Sequence, residues 1–242
     1  SGLIMHRLRI FAGPNGSGKS SLYDQLLEGE FNLGCYLNPD ELHQQVLSSK
    51  TLAFGALGIA PKQSEWKHFV SKHGLASKAP LLKDSHIKDN TLVFAGIPKS
   101  YESSILADFL RHQLLKTGET FSFETVFSHP SKLDFMRKAN SAGYKCYLYF
   151  AAVASPDISV ARVRQRIQQG GHGVPEGRIR KRYHRTLDNL LEAIRLSYRA
   201  YVFDNSLKMK LVAEVRPDRV LRLEGDYVPA WFENSVLNKL GT

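Results

Sequence analysis

The stretch FAGPNGSGKSSLYDQLL, residues 11–27, decides the fold. It reads as the end of a strand, a glycine-rich turn and the start of a helix. Gly13-Pro14-Asn15-Gly16-Ser17-Gly18-Lys19-Ser20 satisfies the spacing G-x-x-x-x-G-K-[ST] at every fixed position. The chemistry explains the spacing. Glycines let consecutive backbone N–H groups turn inward as an anion nest. The helix that follows presents its positive end to the same anion. Residues Gly13, Pro14, Asn15, Gly16, Ser17, Gly18, Lys19, Ser20 and Ser21 are therefore expected to hold the phosphates of a nucleotide. Lys19 would reach the β and γ oxygens, and Ser20 would offer its hydroxyl to Mg²⁺. LRIFA before the loop suits a buried strand, and Leu22, Leu26 and Leu27 after it fall at helical spacing.

Working outward, strand-like runs occupy 8–12, 34–37, 91–95, 121–127, 145–154 and 220–223, with helical patterns starting near Gly18, Pro39, Tyr101, Ser131, Pro156 and Pro175. Strands alternating with helices predict an α/β fold with a mostly parallel sheet flanked by helices, that of a P-loop NTPase. The site is then expected at the carboxyl ends of the strands. Residues 1–242 read as one P-loop domain. Within it, 48–98 is irregular, with scattered glycines and mixed charge, and reads as an insertion or cap. Residues 155–203 read as an arginine-rich helical lid.

The chain carries 33 basic and 23 acidic residues, a net charge of +10, which suits an anionic partner. The apolar share of 43% supports an ordinary core. The longest apolar run, 147–154, is too short to cross a bilayer, and no membrane association is expected. His6, Arg7 and Arg9 interrupt any signal-like apolar stretch. Cys35 and Cys146 give no metal-ligand spacing and read as buried free thiols. A cytoplasmic setting is the expectation.

Four further stretches carry chemistry. In YLNPDELH, Asp40 stands where a strand meets a helix. It is either a helix-start carboxylate favoured by the dipole or a general base for a substrate hydroxyl. In FSFETVFSHP, Glu124 sits late in a strand. Facing a cleft, it would hold a substrate hydroxyl or a metal-bound water; on an edge strand it would be a surface carboxylate. The stretch from Pro156 to Tyr198 reads as two helices joined by Gly170-Gly171, with eight basic side chains between Arg162 and Arg185 and one acid, Glu176. Arginines there would stabilise charge on a transferring phosphoryl group, or form a solvated basic face. In this loop His172 is assigned only a possible nucleotide contact. In FDNS, Asn205 either contacts a base or orders a turn, the turn being favoured.

Taken in order, GPNGSGKSSL, NPDEL, SFETVFSHPSK, RVRQRIQQGGHGVPEGRIRKRY and FDNS resemble the zeta-toxin family of P-loop kinases, over roughly residues 7–50 and 100–210. The resemblance implies a phosphotransferase using ATP (or GTP) and Mg²⁺, with a UDP-sugar such as UDP-N-acetylglucosamine as the hydroxyl-bearing acceptor. By position, Lys19 and Ser20 would hold phosphates and Mg²⁺, and Asp40 would be the base. Glu124, Thr125 and Ser128 would bind substrate. Arg166 and Arg182 are chosen as the catalytic arginines of the lid, with Arg162, Arg178 and Arg180 as close competitors. The resemblance also implies an antitoxin protein as partner. Residues 48–98 depart from the short family core. The rival expectations are a kinase acting on a nucleoside or a nucleic-acid 5′-hydroxyl, and a nucleotide-binding module without phosphotransfer. Nucleic acid is disfavoured because, Tyr183 apart, aromatics are not interleaved with the arginines.

Overall fold

The computed structural model describes residues 6–171 and 173–240. These form two compact units, one of the described residues up to 34 and from 120 onward and one of residues 35–119. The larger opens with strand β1 (Arg7–Ala12), the glycine-rich loop and helix α1 (Lys19–Glu28). The smaller contains β2 (Cys35–Leu37), α2 (Pro39–Ser49), β3 (Thr51–Ala53), α3 (Gln63–Lys72), β4 (His86–Lys88), β5 (Thr91–Val93) and α4 (Ser100–Thr117). The chain then returns to the larger unit with β6 (Phe121–Thr125), α5 (Ser131–Ser141), β7 (Lys145–Ala152), α6 (Pro156–Gln168), α7 (Glu176–Asp188), α8 (Leu190–Leu196), β8 (Arg199–Asp204), β9 (Lys210–Val215) and β10 (Leu221–Leu223). A short helix, Ala230–Phe232, and a π-helical turn, Glu233–Leu237, follow.

In the larger unit the strands run in the order β10-β9-β8-β7-β1-β6. From β8 to β6 they are parallel; β9 and β10 are antiparallel additions. The register sets Ile10 beside Leu148 and Phe123. Leu8, Ile10, Phe123, Leu148 and Phe150 are fully buried, as parallel strands covered on both faces require. Helices α5 and α8 pack on β7, while α1 packs on β1 and β7. This is the α/β, mostly parallel P-loop architecture that the sequence predicts.

The differences have local causes. The strand expected over 121–127 stops at Thr125, because Phe127 takes the left-handed φ of +63° and leaves the ladder. The second lid helix, expected to run through Tyr198, breaks at Asn189 and ends at Leu196. Tyr198 instead donates its backbone N–H to the Cys146 carbonyl at 2.7 Å, leading into β8. Strands β8 and β9 were not expected. Of the two thiols, Cys146 is buried but Cys35 is only half-buried.

Residues 48–98 fall inside the smaller unit and are more regular than their sequence suggests. They supply a three-stranded antiparallel sheet, β3-β5-β4, and helix α3. Trp66, Phe54 and Phe109 fill this unit's core, with the Trp66 and Phe109 rings edge to face at 5.0 Å. The indole N–H of Trp66 finds Ser85 Oγ at 2.9 Å. Among the described residues no helix is long and apolar enough to cross a membrane.

Candidate functional site

The glycine-rich loop joins β1 to α1 at the carboxyl end of the sheet. Gly13 has φ +150°, and a Cβ there would lie 1.9 Å from the Ala151 carbonyl oxygen, so β7 passes too close for any side chain. Gly18 caps α1 at φ 96°, a conformation glycine adopts without strain. Lys19 curls back over the loop, its buried Nζ donating to the Pro14 carbonyl at 2.9 Å.

The strand order brings β6 to the root of this loop, with Phe11 beside Glu124 and Ala12 beside Thr125. Ser20 Oγ donates to Glu124 Oε2 at 2.8 Å. A hydroxyl and a carboxylate thus meet at the first turn of α1. Gly16, Gly18, Lys19, Ser20, Ser21, Glu124 and Arg166, all candidates from the sequence, line one open cleft of about 360 Å³. Two more residues complete its wall. Arg162, on α6, donates to the Gly16 and Ser206 carbonyls, each at 3.2 Å. Asn205, just past β8, donates from Nδ2 to the Ser17 carbonyl at 3.0 Å. Asn205 therefore reaches the loop with its side chain, where the sequence favoured a simple turn. The signal available for it was its position at the carboxyl end of an apolar run.

The remaining candidates sit elsewhere. Thr125 is buried and accepts from the Phe127 backbone N–H at 3.1 Å through Oγ1. Ser128 is half-buried in the segment after β6. Asp40 belongs to the smaller unit. It is exposed in the first turn of α2, and its backbone N–H is capped by Asn38 Oδ1 at 2.9 Å. Arg182 is half-buried on α7 and does not line the cleft. Arg178 is exposed. Arg180 pairs with Glu176 at 2.9 Å and Asp157 at 2.7 Å, and Arg164 pairs with Glu176 at 2.5 Å. His172 lies outside the described residues.

Helices α6 and α7 share a small apolar core of Val160, Val163 and Ile179, with Val174 against it. Below it, Tyr183 donates its hydroxyl to the Val153 carbonyl at 2.7 Å. Burial pushes that phenol up to about 12, so it stays a neutral donor. The hydrogen bond from Arg180 holds the Glu176 carboxyl below its usual range.

The donor set fits a nucleotide polyphosphate with a divalent cation. It combines an ammonium, the Arg166 guanidinium, a helix N-terminus and a serine hydroxyl against a carboxylate. Ser17 Oγ is buried without a hydrogen-bond partner inside the loop, an unspent polar group of the kind a ligand satisfies. Among the described residues no cluster of three His, Cys, Asp or Glu side chains could hold a metal alone. A cation here would need phosphate oxygens to complete its shell.

Residues 98–214 match the family model described as Zeta toxin. Among solved structures, the complex AvrRxo1-ORF1:AvrRxo1-ORF2 with sulphate ions aligns at TM-score 0.59 and 16% identity, over 91% of this chain and 61% of that one. The same complex with ATP aligns at TM-score 0.58, also at 16% identity with 91% and 61% coverage. A chain of the PezAT chromosomal toxin–antitoxin system of Streptococcus pneumoniae aligns at TM-score 0.48 and 14% identity, over 96% and 76%. This chain spans about 61% of the length of the AvrRxo1 chain it resembles. No curated protein matches it in sequence.

Proposed function

We propose, from the match of residues 98–214 to the Zeta toxin family model and the P-loop that precedes them, that the protein is a kinase moving the γ-phosphoryl group of ATP (or GTP) to a hydroxyl of a small molecule, a UDP-sugar such as UDP-N-acetylglucosamine. The observation that carries this reading is the meeting of Lys19, Ser20, Glu124 and Arg166 in one cleft at the carboxyl end of a parallel sheet. The ATP seen with AvrRxo1-ORF1:-ORF2 is consistent with it.

Bound nucleotide and Mg²⁺ would supply the transferable phosphoryl group and the charge that neutralises its oxygens. The chain's own residues do the rest. The loop's N–H groups and Lys19 hold the β and γ oxygens. Ser20 gives a hydroxyl to the cation, and Glu124, already hydrogen-bonded to Ser20, orients what surrounds it. Arg166 faces the same cleft and stabilises charge spreading over the phosphoryl oxygens, a role assigned also to Arg182. Asp40 takes the proton of the acceptor hydroxyl. Thr125 and Ser128, with Glu124, hold the acceptor. An antitoxin protein is the proposed macromolecular partner, and the cytoplasm the proposed setting.

The test is mass spectrometry of a UDP-sugar panel incubated with protein and Mg-ATP, alongside Asp40→Ala. A phosphate-sized gain on UDP-N-acetylglucosamine, reduced by about 10²-fold or more in the variant while nucleotide affinity holds, is expected. Full transfer by Asp40→Ala removes the base assignment. No gain on any UDP-sugar turns the search to nucleosides and nucleic-acid 5′-hydroxyls.

A further inference from the structure

We infer that Arg162 and Asn205, in the wall of the cleft, are positioning residues that set the shape of the phosphate loop through its carbonyls, and this rests on the nucleotide-binding reading above. Three carbonyls of the loop each receive a side-chain donor. Pro14 takes Lys19, Gly16 takes Arg162, and Ser17 takes Asn205. In a trans peptide the C=O and N–H point in opposite directions. Tying the Ser17 carbonyl to Asn205 therefore turns the Gly18 N–H away from that amide. Tying the Gly16 carbonyl to Arg162 fixes that same peptide unit, whose Ser17 N–H closes the turn on the Pro14 carbonyl at 3.3 Å. An anion nest needs its N–H groups facing in; the Asn205 bond imposes that sense on the Gly18 N–H, and the Arg162 bond pins the tight turn next to it.

The donors are themselves anchored. The Arg162 guanidinium bridges from Gly16 to the Ser206 carbonyl. The Ser206 hydroxyl donates to Asp204 Oδ1 at 2.8 Å and accepts from the Ala154 N–H at 2.8 Å. The buried Asp204 also takes the Trp231 indole N–H at 2.9 Å. Asn205 is flanked by these fixed neighbours. Its amide nitrogen lies 2.5 Å from where a Cβ on Gly18 would stand, so loop and bracket are in close contact. The segment from Asp204 to Ser206 is thus a rigid bracket outside the loop. A loop held in its binding shape loses less entropy when a polyphosphate arrives.

The claim separates from direct ligand contact by which nucleotide suffers. A nest that holds the β-phosphate serves ADP and ATP alike. Isothermal titration of ATP, ADP and AMP is the measurement, on wild type, Asn205→Asp, Arg162→Gln and Arg162→Lys, with melting curves to confirm folding. Asn205→Asp keeps the shape but sets an acceptor against the Ser17 carbonyl. Asn205→Asp and Arg162→Gln are expected to weaken ADP and ATP by the same factor, on the order of tenfold, and to leave AMP unchanged. Arg162→Lys should recover part of the loss. A loss confined to ATP would make Arg162 a γ-phosphate ligand and overturn its positioning role. An equal loss on AMP would make Asn205 a base contact and overturn its role. ADP affinity within about twofold of wild type in both variants would end the inference for both residues. If wild type itself binds no ADP, the nucleotide reading fails first.

Discussion

At the carboxyl end of α7, Thr186 and Asn189 donate to the Val126 and Phe127 carbonyls at 2.7 and 2.9 Å, and Thr186 is fully buried. At the amino end, Glu176 and Arg180 meet Arg164 and Asp157 at the surface. Both ends look well bonded, but the physics differs. Surface ion pairs are screened by salt and contribute little, whereas a buried carbonyl that loses its donor has no water to turn to. The contrast teaches that α7 is tied by buried hydrogen bonds below, while above it is held by the apolar packing of Ile179 rather than by its ion pairs. Its root also grips the strained turn that follows Glu124 and Thr125, so helix and strand end are one mechanical piece.

The comparison breaks most readily at the root. Thr186→Val keeps shape and removes the one hydroxyl proton that the Val126 and Arg182 carbonyls share, at 2.7 and 2.8 Å. A loss of about 1–3 kcal/mol in unfolding free energy is expected by denaturant titration, and an unchanged midpoint would dissolve the distinction between the ends. Tyr183 sharpens it through pH. An exposed phenol in the unfolded chain ionises near pH 10, while the folded one waits until about 12. Between those values the folded state binds more protons, so stability falls as pH rises. Melting temperature should decline over that window in wild type and decline less in Tyr183→Phe; parallel slopes would remove Tyr183 as the cause. The smallest effect belongs to the upper end. Glu176→Gln cuts its ion pairs to Arg164 and Arg180, yet no measurable change in melting temperature is expected at moderate salt, and a clear drop would show that end to be anchored too.

The loop from Gly13 to Ser20 was legible because every part of its chemistry is local: each required residue stands at a fixed offset from the next. The parallel strands were legible as near-continuous apolar runs. Strands β8 and β9 were not. Tyr198 continued the apolar face of the preceding helix, and Lys210–Val215 begins with a charged, exposed residue. In the smaller unit β2 and β5 fall in the expected runs 34–37 and 91–95, but β3 and β4, three residues each, are too short to show a period of two. Arg166, chosen for the lid, and Arg162, only one of its rivals, both line the cleft, since nothing in RVRQRI separates two arginines a turn apart. Asn205 was the hardest: its partner, Ser17, is 188 residues away in the chain, and a local pattern offers a turn instead.

The hydrogen bond from Trp231 to Asp204 gives the chain an optical probe of its own. There are two tryptophans, Trp66 in the core of the smaller unit and Trp231 beside the bracket. An indole whose N–H is held by a buried carboxylate changes its emission when that carboxylate moves. In a Trp66→Phe background the remaining fluorescence would come from Trp231 alone, one residue's length from Asn205. A shift on adding ADP would then report, without any attached dye, strain carried from the phosphate loop into the last helical turns of the chain.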